Sequence, residues 1–419
     1  SQLVVHFTVR GVACGYAARR IAVRPAGAGA GPPGGRDWLQ EGGAPAPVRL
    51  DGEHPADLTV RIDKPDHDQS SGRFVWSFVS PHLSDLPEPV PMDLGRDASS
   101  FARNVIGEVW QNEGTATLKH ALRGIGAVIA EKIPAPFFTL LRAVWERAAA
   151  ERRTPTVLLL SADPHVPWEL ALLEEPLDPA RPPFLGAQVP VARWITRRGI
   201  PLPPPRSRPV HQMAVVAGDY ASSSQHRPLP QALREADSLT RDYRAVKLSA
   251  THADLGRLLD GDLAKDGAAA GAEAIHFACH GEVDPEKPRY AAIYLSDRAV
   301  LTPSLFRAAP VGRKSQPFLF LNACQVGQSG ELLGEYAGFA GASISAGFSG
   351  FLAPLWSVDD GLAHDFALEF YRRAFTPTPV AEILRDLRAN YRAETGESTY
   401  LAYIFYGHPD LLITRADET

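Results

Sequence analysis

Short runs that alternate apolar and polar residues mark the first hundred positions: Leu3 to Val9, Leu58 to Ile62 and Phe74 to Val79. A period of two is what a half-buried strand requires, so this part of the chain is predicted to be mostly β. From Ser99 to Arg152 the period lengthens: Phe101, Val105, Ile106 and Val109, then Leu118, Leu122, Ile125, Val128 and Ile129, recur at steps of three and four. These are amphipathic helices, with Glu151-Arg152-Arg153 as a solvated end. Thr156 to Leu160 is a continuous apolar run before Ser-Ala-Asp-Pro, the pattern of a buried strand and its turn.

Beyond residue 210 the two periods alternate. Strands are predicted at Met213 to Ala217, Ala245 to Leu248, Ala274 to Cys279, Ala291 to Leu295, Pro317 to Ala323 and Gly350 to Leu355. Helices are predicted at Leu229 to Asp242, Ala253 to Leu259, Leu332 to Ala346, Gly361 to Ala374 and Pro379 to Glu394. Such alternation predicts an α/β unit with a mostly parallel sheet and helices on both faces. Phe405 to Pro409, followed by Leu411 to Ile413, is predicted to be a last turn and an edge strand. No repeat of 20 to 50 residues interrupts this order.

Two stretches divide the chain. Residues 25–47 are rich in Gly, Pro and Ala and have too little apolar side chain to bury, so they form a loop or an unstructured insert. Gly199 to Pro209 holds Pro201, Pro203, Pro204, Pro205 and Pro209, a semi-rigid connector. The expected units are residues 1–98, β-rich with the insert; 99–205, largely helical; and 210–419, α/β.

Composition adds mainly exclusions. At 45% hydrophobic and 22% charged, the 419 residues are globular in character. A net charge of −5 without a basic stripe argues against direct nucleic-acid binding. No apolar run reaches bilayer length and no secretory signal opens the chain, which suggests no membrane association and a cytoplasmic location. The cysteines are Cys14, Cys279 and Cys324, too few and too scattered for a disulfide framework. The first residue is Ser1 rather than Met, so further sequence upstream is expected as a possibility.

In open α/β sheets, functional side chains gather beyond the carboxyl ends of the strands. His280-Gly281 and Cys324-Gln325-Val326-Gly327 are both expected there, joined by one crossover. A thiol alone is only slightly ionised at neutral pH, and an imidazole beside it raises the thiolate fraction or takes its proton during attack. The amides of Gly281 and Cys324 would supply the two donors an oxyanion needs. Singly, a strand-end Cys is ordinarily a small buried apolar residue and a strand-end His a structural one. Jointly they point to a His280–Cys324 dyad. Asn322-Ala323-Cys324 also approaches the caspase pattern Gln-Ala-Cys, with Asn in place of Gln.

Several segments together resemble the CHAT domain family of caspase-like peptidases, in the same clan as separase. They are His276-Phe277-Ala278-Cys279-His280-Gly281, Leu321 to Gly327, Gly338 to Gly341 with Phe339, and Leu355-Trp356-Ser357-Val358-Asp359-Asp360. Upstream, Val166-Pro167-Trp168-Glu169-Leu170 and Leu229-Pro230 through Glu235-Ala236 complete an ordered set from about Phe101 to Ile413. The resemblance implies a caspase-like sheet over residues 210–419, preceded by a helical, pseudo-caspase-like lobe over 99–205. It also implies a cysteine endopeptidase, held inactive until a sensor or activator protein engages it, in a bacterial regulatory or defence system. The tetratricopeptide repeats often found in the family are absent from this sequence, and residues 1–98 match nothing in it. Two readings compete with the protease: a catalytically idle scaffold that signals by binding, and a small-molecule acyl hydrolase.

Other residues carry less. Trp168 and Glu169 are expected to pack and cap a helix, His276 to lie in the core, and Cys279 to be a structural thiol facing away from His280. The remaining histidines lack metal-ligand spacing, so no metal or other cofactor is expected, and His408 is expected to be a turn residue. The glycines from 327 to 341 lack the lysine of a phosphate loop; they suit a mobile loop and close helix packing. Asp359 and Asp360 either cap the helix that follows or, as the clan's basic-specific members imply, form an acidic wall for a Lys or Arg at P1.

Overall fold

A computed structural model of the chain describes residues 2–9, 12–20, 55–65, 72–161, 163–196, 204–221, 228–263, 271–283, 291–296, 300–325 and 333–416. Gln2–Val9 (β1) and Val12–Arg20 (β2) pair antiparallel in a sheet of their own. The Gly/Pro-rich residues 25–47 lie outside the described residues. Leu58–Asp63 (β3), Arg73–Val79 (β4) and Val90–Asp93 (β5) form an antiparallel meander, and burial alternates along β3 and β4 as their sequence period requires.

Three helices follow, Ala98–Asn112 (α1), Leu118–Lys132 (α2) and Ala135–Ala150 (α3). Asp97 starts α1 by accepting the Ser100 amide at 2.7 Å, and Ala102, Val105, Ile106 and Val109 make its buried face. Among the described residues, no single helix is long and apolar enough to cross a membrane. Val157–Ser161 (β6), the short helix Leu185–Gln188 (α4) and Val191–Ile195 (β7) complete this part.

The second half begins with Ser207–Val210 (β8), Met213–Ala217 (β9), Pro230–Tyr243 (α5), Val246–Ser249 (β10), His252–Asp260 (α6) and Ala274–Val283 (β11). Ala291–Tyr294 (β12), Val300–Leu301 (β13), Pro303–Ala308 (α7), Pro310–Ser315 (α8) and Phe318–Gln325 (β14) come next. Then Leu333–Ala346 (α9), Gly350–Pro354 (β15), Asp360–Ala374 (α10), Val380–Arg388 (α11), Thr399–Ala402 (α12), Tyr403–Tyr406 (β16) and Leu412–Arg415 (β17) close the fold. Chain-breaking chemistry sets the ends: Pro230 opens α5, and α6 runs from its Thr251 cap to Gly261 in the left-handed region at φ 67°.

Among the described residues, one sheet of thirteen strands runs in the order β10-β9-β11-β14-β15-β16-β7-β6-β3-β4-β5, with the β12–β13 hairpin attached to β11. From β10 through β15 every pairing on this path is parallel, as are β16–β7–β6–β3. The expected mostly parallel α/β sheet flanked by helices is therefore the fold. Its central strands are buried on both faces, which is why Met213–Ala217, Phe318–Leu321 and Gly350–Pro354 are almost purely apolar.

The C-terminus departs from expectation. Phe405 and Tyr406 do not belong to the expected turn, which begins only at Gly407; they end Tyr403–Tyr406 (β16), which sits in the middle of the sheet, antiparallel to β15 and beside β7. All four of its residues are buried, so this short aromatic run fills the gap between the two halves of the sheet. Leu412–Arg415 does not edge the main sheet; it pairs with β8, from the proline-rich connector, as a separate parallel pair. The helix expected to reach Glu394 ends at Arg388, and Gly396 beyond it holds φ +72°.

Candidate active site

β11 is the strand from which the site is built. On one edge it pairs with β14 in parallel from Ala274↔Phe318 to Gly281↔Gln325, and this register sets His280 opposite Cys324. Two residues 44 apart in sequence thus become backbone neighbours on adjacent strands. Both lie inside their strands rather than in turns beyond them: β11 continues to Val283 and β14 to Gln325. The extension has a cause on the other edge of β11. There β9 pairs only as far as Ala278↔Ala217, and β12 takes over antiparallel at His280↔Tyr294 and Gly281↔Ile293.

His280 is 2% exposed. Tyr220, just past the end of β9, lies against it with ring centroids 4.4 Å apart. The Tyr220 hydroxyl accepts the His280 amide at 2.9 Å and donates to the Tyr294 carbonyl at 2.6 Å. Cys279 is buried on the other side of the strand; its Sγ points to the Val216 carbonyl at 3.7 Å, and burial pushes the thiol up to about 12. A thiol held so high is inert at neutral pH, in keeping with the structural role expected of it.

Below His280 and Asn322 a polar network is sealed in the core. Asn322 Nδ2 donates to both Glu235 oxygens at 3.1 Å and to the Ala363 carbonyl at 3.2 Å, while its Oδ1 accepts the Tyr403 hydroxyl at 2.7 Å. Glu235 also meets His276 Nε2, and His276 Nδ1 lies 3.2 Å from the Tyr371 hydroxyl. His276 is thus a core residue, fully satisfied on both ring nitrogens. The network had a legible signal: Glu235 interrupts the apolar face Ala232, Ala236, Leu239 of α5, and Asn322 interrupts the apolar run of β14. An acid and an amide at core positions must find each other or lose their hydrogen bonds.

Asp359 and Asp360 follow β15. Asp359 is exposed and caps α10 by accepting the Leu362 amide at 2.9 Å. Asp360 accepts the Gln231 amide at 3.3 Å, tying the start of α10 to that of α5, and partial burial raises its carboxyl. The segment before them is anchored from α12: Trp356 Nε1 donates to Ser398 Oγ at 2.7 Å, and the Asp359 amide donates to Thr399 Oγ1 at 3.1 Å. Ser398 in turn donates its amide at 2.8 Å, and its hydroxyl, to Glu113, whose carboxyl burial pushes up to about 7.

The remaining sequence motifs are structural. Trp168 and Glu169 form a single 3₁₀ turn, and buried Glu169 accepts Arg193 Nε at 2.7 Å as well as Nη2. Arg193 also donates to the carbonyls of Pro164 and Val166, and its cation holds the Glu169 carboxyl below the usual range. Arg388, equally buried, reaches the Gly186 and Tyr403 carbonyls at 3.0 and 2.7 Å. His408 is a turn residue whose Nδ1 accepts the Asp410 amide at 3.0 Å; burial lowers it to about 3. In α9, a Cβ on Gly338 would stand 3.4 Å from Pro303, an ordinary van der Waals contact that does not require glycine. Gly327 and Gly330, where a mobile loop was expected, lie outside the described residues. Among the described residues, no group of three or more His, Cys, Asp or Glu is arranged to hold a metal.

The family model for the CHAT domain matches residues 135–409. No curated protein matches the sequence. Among solved structures, the Arg-specific cysteine proteinase gingipain R is 14% identical with a TM-score of 0.44, over 74% of this chain and 74% of that one. The complex of Porphyromonas gingivalis RgpB pro- and mature domains is 11% identical, at 0.41, over 75% and 77%. The Saccharomyces cerevisiae separase–securin complex is 10% identical, at 0.46, over 85% of this chain but only 30% of that one.

Proposed function

The chain belongs to the CHAT family, and from that premise we propose that it is a cysteine endopeptidase whose dyad is His280 and Cys324. The observation that carries the reading is the register of β11 and β14, in which His280 and Cys324 are paired positions on adjacent strands. In this reading His280 accepts the Cys324 thiol proton as the sulfur attacks the scissile carbonyl carbon. The negative charge that develops on the carbonyl oxygen is met by the amides of Gly281 and Cys324. Collapse expels the amine, which takes its proton from the imidazolium, and leaves a thioester. Water, deprotonated by the same imidazole, then releases the acid and restores the thiol.

Substrate choice belongs to the proposal as well. Asp359 and Asp360 start α10 a short segment after the end of β15 at Pro354, the strand neighbouring that of Cys324. A carboxylate facing a Lys or Arg at P1 gains a charge-assisted contact, bidentate for Arg. Activation by a sensor or activator protein, and a place in a bacterial defence or regulatory system, follow the family. The test is intact-mass analysis of candidate protein substrates incubated with wild-type, Cys324→Ala and His280→Ala protein. Defined fragments from the wild type alone support the reading. Binding without fragments identifies an idle scaffold, and turnover confined to small esters or amides identifies an acyl hydrolase.

A further inference from the structure

The edge of β11 that faces β9 changes partner in mid-strand, and the change falls at His280. Up to Ala278 the neighbour is β9, whose ladder ends with the Gly218 amide donating to the Ala278 carbonyl at 3.0 Å. From His280 the neighbour is β12, running the opposite way. At such a fork the backbone groups of the two ladders do not share one geometry, and a buried amide there needs another acceptor. Tyr220 supplies it. A carbonyl only accepts, so the single phenol proton goes to Tyr294, and an oxygen lone pair takes the His280 N–H. Tyr220 is 2% exposed, and burial holds its phenol well above the ordinary range, so the proton stays in place throughout neutral pH. The ring, meanwhile, is inclined 51° against the imidazole at a centroid distance of 4.4 Å. Gly218 makes this possible: a Cβ there would stand 2.2 Å from the Tyr220 hydroxyl oxygen and 2.4 Å from ring carbons.

We propose that Tyr220 is the positioning residue for His280: its hydroxyl pins the His280 main chain at the fork between β9 and β12, and its ring sets the plane of the imidazole that addresses Cys324. The inference rests on the dyad reading and adds a residue to it. In this reading Tyr220 acts through His280. Loss of the hydroxyl leaves the His280 amide and the Tyr294 carbonyl to find other partners, which shifts the imidazole away from the position that favours the thiolate.

The experiment is the pH profile of iodoacetamide alkylation at Cys324, resolved from Cys14 and Cys279 by peptide mapping, and it needs no knowledge of the substrate. In the wild type the rate inflects below the ordinary thiol range of about 8.5, and His280→Ala moves the inflection up. Tyr220→Phe, which keeps the ring, is expected to move it up by about one pH unit, an approximately tenfold smaller thiolate fraction at pH 7, with near-ultraviolet circular dichroism unchanged. Gly218→Ala, which displaces the ring without altering its chemistry, is expected to do the same and decides the matter if Tyr220→Phe does not fold. A merely structural role would lower the melting temperature and leave the inflection where it is. If His280→Ala shifts the profile while the folded Tyr220 and Gly218 variants follow the wild type, the inference is overturned and the dyad stands. If His280→Ala itself has no effect, the dyad fails and this inference falls with it.

Discussion

Asn322 lies two residues before Cys324 and is 6% exposed, and its side chain joins Glu235, Ala363 and Tyr403. Asn322→Leu removes all of these bonds while keeping the same branching and number of heavy atoms. The Tyr403 hydroxyl loses its Asn322 acceptor at about 1–3 kcal/mol, the bonds to Glu235 are worth about 1.5–3 more, and the Ala363 carbonyl keeps its place inside α10, for a total of about 2.5–6 kcal/mol. That is a large part of the roughly 5–15 kcal/mol by which a domain is stable. Asn322→Asp is the sharper probe. It keeps the acceptor for Tyr403 but sets a carboxyl oxygen where Nδ2 stood, 3.1 Å from both Glu235 oxygens. Two buried carboxyls this close hold one proton between them. A proton held above the unfolded-state value stabilises the fold at low pH, and that contribution is lost as pH rises through the folded value. The Asp variant should therefore lose stability steadily from about pH 4 upward, whereas the Leu variant loses a constant amount. Urea midpoints followed by tryptophan fluorescence at pH 4.5, 6 and 8 measure both. A loss below about 1 kcal/mol for either variant, or an Asp variant with no pH slope relative to wild type, would refute the network.

Cys279→Ala should keep full cleavage activity while Cys324→Ala and His280→Ala abolish it, all three with wild-type circular dichroism; an inactive Cys279→Ala beside an active Cys324→Ala reverses the assignment. A peptide library should show basic P1 residues, with the preference lost in Asp360→Ala or Asp359→Ala; the latter also loses about 1 kcal/mol of stability as the cap of α10 disappears. Leu, Met or Phe at P1, indifferent to both changes, would remove the acidic wall. Glu113 has its carboxyl raised from 4.5 to about 7, so its contribution to stability is complete below pH 4.5 and declines as pH rises toward about 7. Glu113→Gln should flatten that decline in a pH series of thermal midpoints, and an unchanged slope would contradict it. Glu169→Ala leaves Arg193 buried without its carboxylate and should cost about 3–5 kcal/mol, with most of it recovered in Glu169→Ala/Arg193→Met; equal losses in the single and double variants would show that the pair is not coupled.

Most elements were legible because their causes are local. The 3.6-residue period of α1 to α3, the apolar runs of β6, β9, β14 and β15, and caps such as Asp359 depend on residues a few positions apart, and the structure follows them closely. The mostly parallel sheet was legible from the alternation of these elements. Tyr403–Tyr406 was not: Phe405 and Tyr406 beside Gly-His-Pro look like the start of a turn until one knows that the two halves of the sheet leave a strand-wide gap for the whole run. Ser207–Val210 likewise becomes a strand only because Leu412–Arg415 returns to it.

The sequence by itself determined the kinds of residue available for chemistry and the strands that carry them, since a thiol, an imidazole and the glycine beside it are visible as letters. It did not determine what stands around them. The register of His280 with Cys324, the hydroxyl that Tyr220 brings to a backbone amide 60 residues away, and the bond of Asn322 to Glu235 across 87 residues all depend on how long loops close and on which faces pack. A buried polar side chain announces only that it needs a partner. Which partner it has is decided when the whole sheet assembles, because hydrogen bonds form between groups that packing brings within about 3 Å, whatever their separation along the chain.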